Sequence, residues 1–61
     1  MMQWLKQARK KSGFTQTQIA ELCGISQTHY GAIETGIRKP SVKVAKKLGT
    51  VLSLKWTRFF D

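Results

Sequence analysis

Between Thr15 and Pro40 the chain carries side chains whose types and spacing can do chemistry. They are Gln16 and Thr17, then Ser26, Gln27, Thr28 and His29, then Gly31, Ala32 and Thr35, and finally Arg38 and Lys39. No nucleophile among them is paired with a base. The chain has one histidine, one cysteine and three acids (Glu21, Glu34 and Asp61), which offer no carboxylate pair and no triad. One cysteine with one histidine cannot build a zinc site, and no glycine-rich phosphate loop is present. Catalysis, a metal and a cofactor are therefore not expected. What these groups can do is recognise a surface by hydrogen bonds. A glutamine amide can pair in bidentate fashion with N6 and N7 of adenine, a threonine hydroxyl can meet several bases, and an alanine methyl can touch the methyl of thymine.

The charge pattern sharpens that reading. Eleven lysines and arginines face three acids, a formal net charge of +8, yet residues 26–36 contain no lysine or arginine and only one formal charge, Glu34. A surface this basic suits a polyanion, either nucleic acid or an anionic membrane. The apolar runs are only a few residues long, which excludes a transmembrane helix and a signal-peptide core. A membrane-active peptide would need one long amphipathic helix, and the glycine punctuation argues against that. Cytoplasmic residence is the default expectation, with no membrane partner and no small-molecule ligand.

The elements that must position these groups can be read from caps and periodicity. At 61 residues the chain is expected to be one domain, and without a disulfide it must pack its helices tightly. Glycines at 13, 24 and 36 stand where helices should end. A first helix is expected over residues 2–12, with Trp4, Leu5 and Ala8 on one face. Thr15, with Gln18 three residues on, has capping-box spacing for a second helix over 16–23, with Ile19, Ala20 and Cys23 inward. Ser26 caps a third over 27–35, and Ile25 in the turn is expected between the two. Ser41 caps a fourth over 42–52, with Ala45, Leu48 and Leu52 on its apolar face; Gly49 is expected to permit a close helix crossing. A fifth helix is expected over 55–60, its Trp56, Phe59 and Phe60 divided between the core and a dimer patch. The second and third helices with their three-residue turn give a helix-turn-helix over about residues 15–35, and the fold class is all-α with five helices.

With successive helix residues about 100° apart, Tyr30 and Ile33 of the third helix face the core. Gln27, Thr28, Gly31, Ala32 and Thr35 face outward, and His29 and Glu34 lie on the flanks. A merely solvated face would favour lysine, glutamate and glutamine. This short, neutral face is one against which something docks, and Gly31 adds almost no volume there.

The ordered set Arg9, Gly13-Phe14-Thr15-Gln16, Ile19-Ala20, Gly24-Ile25-Ser26, Ile33-Glu34-x-Gly36 and Arg38-x-Pro40-Ser41 resembles the phage-repressor helix-turn-helix family, which includes the lambda repressor, Cro proteins and Xre-type regulators. The closing Trp56-Thr57-Arg58-Phe59-Phe60 resembles the end of many Xre-type domains, so the likeness runs over about residues 4–60. The resemblance implies that Gln16 contacts phosphate while bracing Gln27, and that Gln27 reads a base, adenine by its chemistry. Thr28 would stand at a base edge, and Ala32, beside Gly31, would meet a thymine methyl. Thr35, Arg38 and Lys39 would bind backbone phosphate, with Thr17, Ser26 and His29 completing the DNA-facing set. Arg9 and Glu34 would form an internal salt bridge between the first and third helices. Ser53 departs from the pattern, standing where many relatives have glycine.

The function so implied is a sequence-specific double-stranded DNA-binding transcriptional regulator, a Cro- or Xre-like repressor of a phage or mobile element. It would act as a homodimer on an operator. The chain's length fits such a regulator, or a fragment of a longer repressor. The alternative is an antitoxin or anti-repressor type of protein-interaction module of the same fold, which an acidic or strongly aromatic third-helix face would favour.

Overall fold

The computed structural model describes residues 2–61. Four α-helices follow one another: α1 (Gln3–Lys11), α2 (Gln16–Cys23), α3 (Gln27–Thr35) and α4 (Val42–Leu52). A 3-10 helix, Trp56–Phe60, closes the chain. There is no strand among the described residues. The all-α class and the spans of α2, α3 and α4 are as expected, and α1 is one residue shorter at each end.

Local chemistry explains the starts of α2, α3 and α4 and the ends of α2 and α3. The Thr15 hydroxyl accepts from the Gln18 backbone N–H at 3.1 Å, and the Gln18 Oε1 accepts from the Thr15 N–H at 2.9 Å, a complete capping box. Ser26 Oγ accepts from His29 N–H at 3.0 Å, and Ser41 Oγ from Val44 N–H at 3.2 Å. Gly24 and Gly36 take left-handed backbone angles, φ +72° and +86°, at which most residues would be strained. There the chain turns back: Ile25 N–H donates to Ala20 C=O at 3.0 Å, so α2 ends and α3 begins within three residues.

The core is built from one stripe of each helix. Leu5, Ile19, Ala20, Cys23, Tyr30, Ile33, Val44, Ala45, Leu48, Leu52 and Phe59 are buried. Trp4, Ile25 and Trp56 pack against this cluster while keeping one edge in solvent. Burial pushes the Cys23 thiol above its ordinary value, with Lys47 partly opposing, so Cys23 is a small apolar core residue. None of the helices among the described residues is long and apolar enough to cross a membrane.

The expected fifth α-helix is a 3-10 helix instead. Five residues are too few to make an α-helix stable alone. The tighter spiral, with three residues per turn, places Trp56 and Phe59 on one side. Phe59 fills the core beneath Trp4, with ring centroids 5.0 Å apart, while Phe60 remains exposed and meets Trp56 edge-on at 6.1 Å. Arg58 lies 4.4 Å over the Trp4 ring and Lys46 5.2 Å over that of Trp56, so cation–π contacts clamp this end to α1 and α4.

Gly49 permits the close approach expected of it: what comes near is the chain's return at Leu54 and the start of the 3-10 helix at Trp56. A β-carbon on Gly49 would lie 2.8 Å from the Leu54 carbonyl oxygen and 3.1 Å from Trp56 Cβ. Leu54 N–H donates to Gly49 C=O at 2.9 Å, which locks that return. Helix propensity alone would make Gly49→Ala stabilising by about 1 kcal/mol. The clash reverses the sign, and we expect a loss of about 1–3 kcal/mol, measured as a lower urea midpoint. Ser53 caps α4 at φ +54° and is the one non-glycine at positive φ among the described residues. Ser53→Gly relieves that strain. A gain of about 1 kcal/mol is expected, seen as a melting temperature raised by roughly 4–8 °C.

Candidate nucleic-acid interface

The site is anchored from inside. Arg9 on α1 and Glu34 on α3 are 8% and 4% exposed, and they meet in a two-point ion pair: Arg9 Nε donates to Glu34 Oε2 at 2.9 Å and Nη2 to Oε1 at 3.2 Å. Arg9 Nη1 also donates to the Phe14 carbonyl at 2.9 Å, which ties the entry to α2 to the same group. Burial by itself would raise the Glu34 pKa, but the Arg9 guanidinium, followed by the neighbouring Tyr30 hydroxyl and the Gln16 amide, outweighs it and holds the carboxyl below its ordinary value. The partnership with Glu34 likewise raises the Arg9 pKa, against the opposing effect of burial. Tyr30, fully buried alongside, is pushed well above its ordinary value, first by burial and then by the Glu34 charge. Its hydroxyl feels that charge without making a hydrogen bond of good geometry among the described residues.

From this pair the bonding runs outward. Gln16 at the first turn of α2 donates from Nε2 to Glu34 Oε1 at 3.3 Å, and its Oε1 accepts from Gln27 Nε2 at 2.7 Å. Gln16 is half-buried and Gln27 exposed. The bracing of Gln27 by Gln16 and the Arg9–Glu34 pair, both implied by the family likeness, are present. The link between Gln16 and Glu34 is additional. Sequence reasoning missed it because the helical wheel places Glu34 on a flank of α3, and nothing in a separation of 18 residues signals contact with Gln16.

The remaining candidates divide by position. Thr17, Ser26, Thr28 and Thr35 are exposed, and His29, Gly31 and Ala32 are half-buried. The Ser26 hydroxyl oxygen is engaged in the α3 cap, and Thr35 Oγ1 donates to the Ala32 carbonyl at 3.1 Å. Gly31 is not needed by the backbone. A β-carbon there would sit 3.7 Å from Gln16 Oε1 and 3.9 Å from Gln27 Nε2, ordinary contact, so its absence simply leaves the glutamine pair uncovered.

Arg38 and Lys39 are exposed in a loop that is pinned rather than loose: Ile37 and Arg38 N–H both donate to the Ala32 carbonyl, at 2.9 and 3.2 Å, and Pro40 is buried. Ile37, 81% exposed beside these cations, was not singled out by sequence reasoning, since a lone isoleucine carries no signal there. Arg9 apart, every lysine and arginine is exposed. The structure thus brings Gln16, Gln27 and Gly31 together, sets Thr28, Ala32 and Thr35 along the same helix, and places Arg38 and Lys39 just beyond its end. The described residues contain no cluster of three histidine, cysteine or acidic side chains that could hold a metal.

Comparison with known proteins gives the same frame. Residues 5–59 match the family model described as helix-turn-helix. The chain is 48% identical over 61 residues to a Bacillus subtilis (strain 168) protein named as an uncharacterized HTH-type transcriptional regulator, YqaF, covering 100% of this chain and 80% of YqaF. It is 35% identical over 54 residues to the HTH-type transcriptional regulator SlrR of the same organism, covering 87% of this chain and 36% of SlrR. A third relative there, named as the SPbeta prophage-derived uncharacterized HTH-type transcriptional regulator YonR, is 34% identical over 50 residues, covering 82% of this chain and 46% of YonR. With the match spanning nearly all of its length, and with α2, the three-residue turn and α3 in place, the chain belongs to the helix-turn-helix family, in its Xre/Cro-like branch.

Proposed function

We propose that this protein is a sequence-specific double-stranded DNA-binding transcriptional regulator, a Cro- or Xre-like repressor of a phage or mobile element. The observation that carries the reading is the outer face of α3. It is free of lysine and arginine, it begins at Gln27, which Gln16 holds in place, and exposed Arg38 and Lys39 follow it. In this reading α3 enters the major groove while α2 crosses the backbone. Gln27, Thr28 and Ala32 meet base edges. Gln16 and Thr17 at the start of α2, with Ser26, His29, Thr35, Arg38 and Lys39, contact phosphates. Phosphate contacts supply much of the affinity and fix the register, while base contacts carry the sequence.

The reading includes a homodimer on a paired operator, with exposed Phe60 and half-buried Trp56 at the contact. It also includes residues 1–61 as a single domain, cytoplasmic residence, and no catalytic activity or cofactor. YonR, whose name records a prophage origin, supports the phage or mobile-element setting. An interaction module would be expected to show an acidic or aromatic α3 face, and Gln27, Thr28, Gly31, Ala32 and Thr35 form neither.

Selection of bound sequences from a random duplex pool tests the proposal. The expected product is a two-fold symmetric motif with half-sites roughly one helical turn apart, bound with an affinity that falls steeply as salt rises. Binding with no sequence preference overturns it.

A further inference from the structure

The series from Arg9 to Gln27 has a direction at every link. Ionised Glu34 can only accept: its Oε2 takes the Arg9 Nε–H, and its Oε1 takes N–H groups from Arg9 Nη2 and from Gln16 Nε2. Gln16 must therefore turn its amide nitrogen inward and its oxygen outward. That oxygen accepts from Gln27 Nε2 at 2.7 Å, so one Gln27 N–H is committed. Gln27 has Oε1 and its second N–H left to offer. These amide orientations follow from the carboxylate, which has no proton to give.

The geometry points to Glu34 as a positioning residue for base specificity. Through Gln16, this buried carboxylate fixes the hydrogen-bond polarity that Gln27 presents to the major groove, and that polarity selects adenine over guanine. One acceptor beside one donor complements the N6 amino group and N7 of adenine. Guanine offers two acceptors, N7 and O6, and would set one of them against Gln27 Oε1. The inference rests on the DNA-reading role proposed above.

The test compares selections from one random duplex pool by the wild-type chain, Gln27→Ala, Gln16→Met and Glu34→Gln. The Gln27→Ala variant identifies the base pair that Gln27 reads, as the position whose preference disappears. There the wild type should favour adenine over guanine by roughly tenfold or more. Gln16→Met leaves the Arg9–Glu34 pair intact and frees the Gln27 amide, so both of its N–H groups can turn to guanine. The adenine-to-guanine ratio should fall to within about twofold. Glu34→Gln should also lower it towards parity: either orientation of the new amide sets an N–H against Arg9 Nε or Nη2, so no fixed acceptor remains to hold the Gln16 nitrogen inward.

A merely structural Glu34 would lower affinity for every sequence and leave the ratio alone. If Glu34→Gln does not fold, the Gln16→Met ratio decides. An unchanged ratio in Gln16→Met, or a base other than adenine at the Gln27 position, overturns the inference while the DNA reading stands. A wild-type pool with no preferred sequence overturns both.

Discussion

Glu34→Ala is expected to cost about 3–5 kcal/mol of folding stability, the largest effect of any single change proposed for this chain. The substitution strands the Arg9 guanidinium in a site where it is 8% exposed and removes the acceptor that Gln16 Nε2 uses. A domain of this length has a total stability of about 3–9 kcal/mol, so much of the variant should be unfolded at 37 °C. Urea titration followed by circular dichroism measures it. The double variant Arg9→Met with Glu34→Leu removes both charges and should recover most of the loss, because an apolar pair of similar volume carries no desolvation cost.

The same group makes folding acid-sensitive. Its folded-state pKa lies below the ordinary value of 4.5, so the folded state binds fewer protons than the unfolded state in that region. Its stabilisation is complete above about pH 4.5 and is lost as the pH falls through the depressed folded value. Of the three acidic side chains only Glu34 is buried, so the drop in urea midpoint below pH 4.5 should shrink sharply in the double variant.

The second large effect is on recognition and leaves the fold alone. Gln27 is exposed and makes one side-chain hydrogen bond, to Gln16, so Gln27→Ala should melt within a few degrees of the wild type. Against the selected duplex it should lose about 1–3 kcal/mol and become indifferent to the base at one position of each half-site. Lys39→Ala is the contrasting control. It should weaken all duplexes by a similar factor and reduce the slope of log affinity against log salt by about one. If Gln27→Ala keeps the full wild-type preference, Gln27 is not the reader.

Much of this frame was legible in the residues because it is local chemistry. Thr15, Ser26 and Ser41 each stand one residue before an apolar periodicity, and each places its hydroxyl on the backbone N–H three residues ahead. Gly24 and Gly36 sit where the chain needs positive φ. Tyr30 and Ile33 face inward because the wheel leaves them no other side.

What was not legible depends on distant parts of the chain meeting. The terminal aromatics carry a helical spacing, but that spacing is shared by an α-helix and a 3-10 helix, and it does not show that Phe59 packs against Trp4 at the other end of the chain. Gly49 shows that something comes close; only the folded chain shows that it is the Leu54 carbonyl. The Glu34–Gln16 bond joins a buried charge to the outer surface across two helices, and no pattern within either helix encodes it.

The most direct test of the central claim, that α3 and the residues framing it meet DNA, is a residue-by-residue NMR titration of the labelled protein with its selected duplex. The expected shift changes are largest at Gln16 and Thr17, from Ser26 to Ala32, and at Thr35, Arg38 and Lys39. The Gln27 side-chain amide should move most of all, with the outer faces of α1 and the Trp56–Phe60 helix little affected apart from any dimer contact. Shifts concentrated on α1 or α4, with α3 silent, would contradict the account.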